Sequence, residues 1–548
     1  MTSTTSAEMT PAGGLTHRQI MTVLSGLMLG MFLASLDQTI VSTAMRTIAD
    51  KLHGQTQQAW VTTAYLVTST VSTPLYGKLS DLYGRKPFYL FAISIFVVGS
   101  VLCGFASSVY ELAGFRALQG IGAGGLMSLA FAIVGDIVPP RERGRYQGYF
   151  MSVFATSSVL GPVLGGFLAG QSQIFGHAGW RWIFFINVPI GVLALVVVSK
   201  VLQMPRKRSQ HRIDYLGAGL MTAAVIPFLL LAEKGHEWGW TSSTSLLLLA
   251  IAVVALGLFV PRERRMGEEA ILPLRVFSNR IFTVSSTVAF LVGIGMFGGL
   301  TSVPLYLQIV HGESPTKAGL QMIPFMAGII VSSFTTGRIM SRTGRYKIFP
   351  IIGTAVMAVA MLLFSTLTAD TPIPRAMLFM VIMGMGLGLS MQTLVISVQN
   401  ALPPRDMGIA TSSVTFFRSM GGTFGVAAAL ALLFGSLAGN IRDRAIAAHL
   451  PPAIIAKFKS ATSLNDTSII ATLPPVIRRV VLQGFADSMH TVFLTTFFML
   501  IPAFVLAFFI KELPLRSMGG LQAQRAEAEE RESAEVEMDT AKAETAVL

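Results

Sequence analysis

Fourteen apolar runs, each long enough to cross a bilayer as a helix, punctuate this chain of 548 residues. They lie near 20–44, 59–77, 87–107, 109–135, 146–170, 180–199, 214–232, 243–261, 281–303, 318–337, 348–368, 375–397, 407–435 and 489–510. In hydrocarbon every backbone N–H and C=O must be satisfied internally, so runs of this length specify a bundle of membrane-crossing helices. Composition agrees, with 52% hydrophobic residues, 13% charged residues and a mean hydropathy of +0.63. The net charge of +13 could point to nucleic acid, but the basic residues sit mainly in short loops between the runs. An even number of spans puts both ends on one side. Most Lys and Arg of the short loops fall on that side, which by the positive-inside rule is the cytoplasm. The long loop 436–488 is the exception and is expected outside, since long loops cross regardless of charge.

Residues 1–19 are polar and lack a short apolar core before a small-residue cleavage site, so they read as a cytoplasmic segment and not as a cleaved signal. Residues 511–548 form an acidic cytoplasmic tail. The lone Cys103 permits no intrachain disulfide.

An internal repeat organises the spans. Gly77 to Lys86 (GKLSDLYGRK) joins the second and third, and Gly337 to Lys347 (GRIMSRTGRYK) joins the tenth and eleventh; each has Gly, six residues, then Gly-Arg. The offset of 260 residues also maps Gly161 and Gly165 onto Gly421 and Gly425. Two six-helix bundles, 20–199 and 281–510, are therefore expected, with two further helices inserted at 200–280. At the same offset Asp37 corresponds to Phe297, so only one half carries this acid.

Asp37 is the costly residue. It lies midway along an apolar run that shows no other charge until Arg46, and such a charge costs roughly 2.5–3.5 kcal/mol on insertion scales. A cavity on the first helix is its expected setting. Arg116 lies about six residues inside the fourth span, with Glu111 near the outer end. Either it snorkels to the surface, or it faces the cavity near Asp37, where a cation favours the ionised carboxylate and burial the neutral one. Arg418, in the thirteenth span, is either a second cavity charge or a residue near the cytoplasmic surface. In the 77–86 loop, Gly77 and Gly84 permit a tight turn and close helix approach. Asp81, among Lys78, Arg85 and Lys86, reads either as part of a solvated loop or as a charge latch between the halves. Gly161, Pro162 and Gly165 suit a pliable, closely packed helix seam.

These segments resemble the fourteen-helix drug:proton antiporter branch of the major facilitator superfamily, over about residues 16 to 515. The loop GKLSDLYGRK resembles the superfamily's cytoplasmic signature, and FRALQGIGAG (Phe115 to Gly124) its helix-four motif. GPVLGG (Gly161 to Gly166) resembles the helix-five motif of antiporters. LDQTIVSTAM and WRWIFFINVPIG (Trp180 to Gly191) resemble the fourteen-helix branch itself. The chain departs from the pattern at Ser42-Thr43-Ala44, where the family usually has Asn-Val-Ala.

The resemblance implies an all-α membrane protein with the major facilitator fold, two six-helix bundles plus two inserted helices, working as an exporter in a bacterial cell membrane. Asp37 and Arg116 would couple protons to the export of amphipathic or cationic drugs by alternating access. Tyr65, Tyr306, Gln308, Met391, Gln392, Phe417 and Arg418 are the candidates to contact substrate. The proton is the coupling ion and no cofactor is expected; the partners are a small-molecule substrate and the lipid bilayer, without nucleic acid, and a monomer is expected. No GxxxxGK[ST] loop, His/Cys cluster or nucleophile elbow is present, which argues against ATP-driven pumping and against an enzyme. Export of an endogenous metabolite or lipid is the alternative, and a non-transporting membrane sensor a remote one.

Overall fold

The computed structural model describes residues 16–53, 58–202, 214–267, 269–451 and 473–516, together with Ile470, Ala523 and Ser533. Most of the expected N-terminal segment, the centre of the 436–488 loop and nearly all of the acidic tail lie outside the described residues.

Among the described residues fourteen long helices carry the fold: α1 His17–Lys51, α2 Gln58–Tyr83, α3 Arg85–Phe105, α4 Val109–Ile137, α5 Pro140–Gly170, α6 Gly179–Val201, α7 Tyr215–Trp238, α8 Ser243–Met266, α9 Arg280–Leu305, α10 Ile323–Thr343, α11 Ile348–Ser365, α12 Ile373–Ala401, α13 Met407–Ala447 and α14 Pro475–Phe508. Thirteen are long and apolar enough to cross a membrane, and α2 is the remaining one. Its hydroxyls bond backwards, Thr68 to the carbonyl of Ala64 and Thr73 to that of Ser69, while Ser72 also donates to the carbonyl of Ile121 on α4. A polar helix can cross here because α4 and α13 cover it.

Helices α1–α6 pack on one another, as do α9–α14, and α7 and α8 form a pair against α2 and α13. Large apolar side chains of α8 such as Leu246, Leu247 and Val254 face outward, as lipid contact requires. The repeat is visible in the packing. A Cβ on Gly161 or Gly165 would collide with Thr39 or the carbonyl of Ile40 on α1. One on Gly421 or Gly425 would collide with the carbonyls of Phe290 or Ile294 on α9. Small residues thus set the same close crossing twice. This crossing also corrects the first-helix register, because it pairs Thr39 with Phe290 and Ile40 with Ile294. The counterpart of Asp37 then falls in 288–291 and not at Phe297; those residues, Val288, Ala289, Phe290 and Leu291, carry no acid either.

The expected loop 436–488 is shorter than its sequence suggests. Helix α13 continues to Ala447 and α14 starts at Pro475. The two extensions run side by side: Gly484 admits Ile441, Asn440 donates to Ser488 at 2.9 Å, and Arg444 pairs with Asp487 at 2.6 Å. Polar residues there belong to helix that extends past the apolar band.

The halves meet near the face where α1 begins and α14 ends, where α2 lies on α13 and α5 on α10. Gly77 and Gly408 face each other so closely that a Cβ on Gly77 would strike Ser412 and, at 2.8 Å, the carbonyl of Gly408. Gly84, at φ +97°, makes the tight turn from α2 into α3. On α10, the ring of Phe334 sits 5.9 Å from that of Tyr149 on α5.

Candidate functional site

Arg116 and Gln119 share one face of α4 because they are three residues apart. That face is turned towards α1, and both side chains reach Asp37. Arg116 Nη1 donates to Asp37 Oδ2 at 2.5 Å, and Gln119 Nε2 donates to Oδ1 at 2.9 Å. Asn187 Nδ2 on α6 donates to the same Oδ1 at 2.7 Å. Both amides also donate to Ser100 Oγ on α3, at 2.5 and 3.1 Å. The Arg116 guanidinium lies over the Tyr65 ring of α2, 4.0 Å from its centre, and a second bond from Nη1 goes to Gln119 Oε1 at 2.7 Å. Cys103 Sγ completes the shell, 3.8 Å from Gln119 Oε1.

Asp37 is therefore an ionisable group held by three donors from two helices, and it is fully buried, at 0% exposure against 1% for Arg116. Its carboxylate points into the core of the first bundle, among α1, α3, α4 and α6. The cavity-facing setting read from the sequence does not hold in this conformation. Amides on α4 and α6 solvate the carboxylate in place of water, which is what makes an interior position tolerable. Removing one member of such a buried pair typically costs about 3–5 kcal/mol, because the survivor is left uncompensated. Arg116 Nε and Asn187 Oδ1 are buried without a hydrogen-bond partner, so the network is not saturated.

A second cluster ties the halves together near the face where α1 begins and α14 ends. Asp81, at the end of α2, accepts from the backbone N–H groups of Gly408 and Ile409, both at 3.1 Å. These are among the free N–H groups that open α13, and a carboxylate there also meets the positive end of the helix dipole. Arg85 bridges Asp81 at 2.5 Å and Asp136, on the last turn of α4, at 2.7 Å. Beside it Arg143 of α5 donates to Gln399 of α12 at 2.7 Å and to the carbonyls of Val138 and Gly135. Gln399 in turn donates to Thr411 of α13 at 2.8 Å.

The helix-five residues divide their contacts. Gly161 and Gly165 face α1, whereas Pro162 lies against Gly319 of the other half.

The substrate candidates do not form one site. Tyr65 belongs to the Asp37 network. Tyr306 is buried and donates to the carbonyl of Thr368 at 2.8 Å, which is a packing role, and Gln308 is half-buried on the adjoining wide-turn segment Tyr306–Val310. Phe417 lines an apolar pocket of about 330 Å³ between the inserted pair and α13, with Phe228, Val253, Phe259, Phe277 and Phe416. Met391 is half-buried against the core. Gln392 and Arg418 are buried elsewhere in the second half, at 4% and 8% exposure.

Sequence reading missed Gln119, Asn187 and Ser100 around Asp37, and Asp136, Arg143 and Gln399 at the seam. Gln119 and Asn187 stand within quoted segments, and an amide inside an apolar run is a weak version of the signal that exposed Asp37.

The family model described as Major Facilitator Superfamily matches residues 27–426. An MFS-type transporter of Mycobacterium tuberculosis (strain ATCC 25618 / H37Rv) is 40% identical over 495 residues, covering 90% of this chain and 70% of that one. Multidrug transporter protein MdtP of Bacillus subtilis is 34% identical, with 90% and 93% covered. Among solved structures, a double-tryptophan mutant of XylE has the same fold at 15% identity, with a TM-score of 0.60 over 92% of this chain and 98% of that one.

Proposed function

Because this chain belongs to the major facilitator superfamily, as a multi-pass membrane transporter of small molecules and not an enzyme, we propose that it is a proton-coupled drug exporter working by alternating access. The observation that carries this reading is Asp37, an acid with an arginine partner inside the first bundle. The multidrug name of the Bacillus relative supports the substrate side.

In the arrangement described, Arg116 and the amides of Gln119 and Asn187 hydrogen-bond Asp37 and seal it from solvent. Loosening of α4, which also touches α13, against α1 draws the guanidinium from the carboxylate and opens a route to outer water while the opposite face stays shut. The carboxylate, losing its cation while still poorly solvated, takes a proton from the outer side. Rocking of the halves then opens the cytoplasmic face, where Arg116 recovers the carboxylate and the proton leaves inward. Asp81 and Arg143 hold the face where α1 begins and α14 ends shut until this happens. That face is the cytoplasmic one in a bacterial cell membrane, and the protein works as a monomer.

The decisive experiment imposes a pH gradient on everted vesicles and follows uptake of a panel of fluorescent amphipathic dyes. Wild type should accumulate dye only with the gradient, and Asp37→Asn should not. Equal accumulation by both would remove Asp37 from the coupling step, and no response to the gradient across a varied panel would remove the exporter reading.

A further inference from the structure

Arg418 differs from the other buried arginines. Arg85 has two carboxylates, Arg116 has Asp37, and Arg143 has Gln399 and two carbonyls. Arg418 sits on α13 at 8% exposure, and among the described residues no carboxylate or hydrogen-bond acceptor serves it. A cation at this depth without a partner is expensive, and such residues mark ligand or ion pathways. Gln392 of α12 shares its condition: at 4% exposure, both its amide Nε2 and Oε1 lack partners.

Helical register brings the two together. Helices α12 and α13 form an antiparallel hairpin tied by the bond from Gln399 to Thr411. Seven residues return to nearly the same helix face, within about 20°, and climb about 10 Å. Seven residues before Gln399 is Gln392, and seven after Thr411 is Arg418. Both therefore stand two turns above the Arg143–Gln399 tie, at one level and on facing sides. The opposite face of α13, with Ser413, Phe416, Phe417 and Met420, lines the apolar pocket, so Arg418 is turned away from it. Asp37 is already held by Arg116 and two amides, which leaves the uncompensated charge of the interior positive.

Resting on the exporter reading above, we propose that Arg418 and Gln392 bind the head group of an amphipathic organic anion, a carboxylate or sulfonate on an apolar body, as the transported substrate class. Guanidinium takes two oxygens of such a group at once, and the Gln392 amide supplies a further donor.

The test is equilibrium binding to the full chain in nanodiscs of neutral lipid, with empty nanodiscs as the blank. Pyrene-1-sulfonate and pyrene-1-methylammonium share an aromatic body and differ in charge. Wild type should bind the sulfonate about tenfold more tightly or better. Arg418→Gln should abolish that preference and Arg418→Lys should keep part of it. Gln392→Leu, which alters no charge, should weaken sulfonate binding about threefold. Equal binding of both probes by wild type, binding of neither, or unchanged sulfonate affinity in Arg418→Gln and Gln392→Leu would overturn the proposal. No gradient is applied, so the outcome is separate from coupling. Anion preference in a protein that ignores the proton gradient leaves the site standing and removes the exporter reading. Coupled transport without anion preference does the reverse.

Discussion

Replacing Asp81 by Asn keeps the shape of the side chain and removes its charge. The carboxylate accepts two backbone N–H groups of α13 at 3.1 Å and pairs with Arg85, so the substitution acts across the seam between the halves. Bonds to a charged acceptor are worth about 1.5–3 kcal/mol each, and the helix dipole adds up to about 1. The Asn oxygen still accepts one N–H, and Arg85 retains Asp136, so the net loss is about 2–3 kcal/mol. That corresponds to a shift of about 30- to 150-fold towards opening at this face, enough to bring a 99:1 preference near parity. Cysteines introduced at Tyr83 on α2 and Ile339 on α10, both partly exposed, carry spin labels on opposite halves, and the native Cys103 is buried. Double electron–electron resonance should show one short distance for the parent and an added longer population of comparable weight for Asp81→Asn. An unchanged distance distribution in a folded variant would refute the latch and leave closure to the Arg143–Gln399 tie.

Three further outcomes follow from the geometry. Gly77→Ala forces a Cβ onto Ser412 and the carbonyl of Gly408 and should shift the same distances as Asp81→Asn, whereas Gly114→Ala, with nothing within 4 Å, should leave them unchanged. Asn187→Leu deletes a donor to a buried carboxylate, worth about 1.5–3 kcal/mol, and should lower gradient-driven dye uptake by about tenfold or more in vesicles with normal protein content. Arg444→Ala breaks a pair that is 46% and 35% exposed and should lower stability by less than about 1 kcal/mol in thermal melts; Gly484→Val, which drives a side chain into Ile441, should cost more.

What could be read in advance depended on how loudly each residue broke the apolar background. Asp37 and Arg116 stood out because a charge in a long apolar run is costly, and the structure places them in contact. The paired glycines were legible because the halves solve the same close crossing with the same residue type. Direction was not legible. Periodicity assigns a residue to a face of its own helix but does not say which neighbour covers that face, so Asp37 was assigned to a cavity when it points into its bundle. Phe417 and Arg418 are adjacent in sequence and both read as substrate contacts, yet about 100° of rotation sends one to the apolar pocket and leaves the other turned away from it. In the sequence nothing sets Arg143 apart from Arg141 and Arg145, though it is 1% exposed. The extensions of α13 and α14 read as loop because Asn440, Arg444 and Asp487 are polar.

The hydroxyl-rich α2 has a consequence for how the chain is made. Insertion machinery partitions each segment by its own apolarity as it emerges, and α2 is the helix that falls short of the thirteen others. Its coverings arrive later: α4 begins at Val109 and α13 only at Met407. During synthesis α2 must therefore be carried in by its flanking spans or wait at the membrane surface, and its seat against the second half is completed only when most of the polypeptide exists. Biogenesis, like transport, is thereby tied to the seam between the halves.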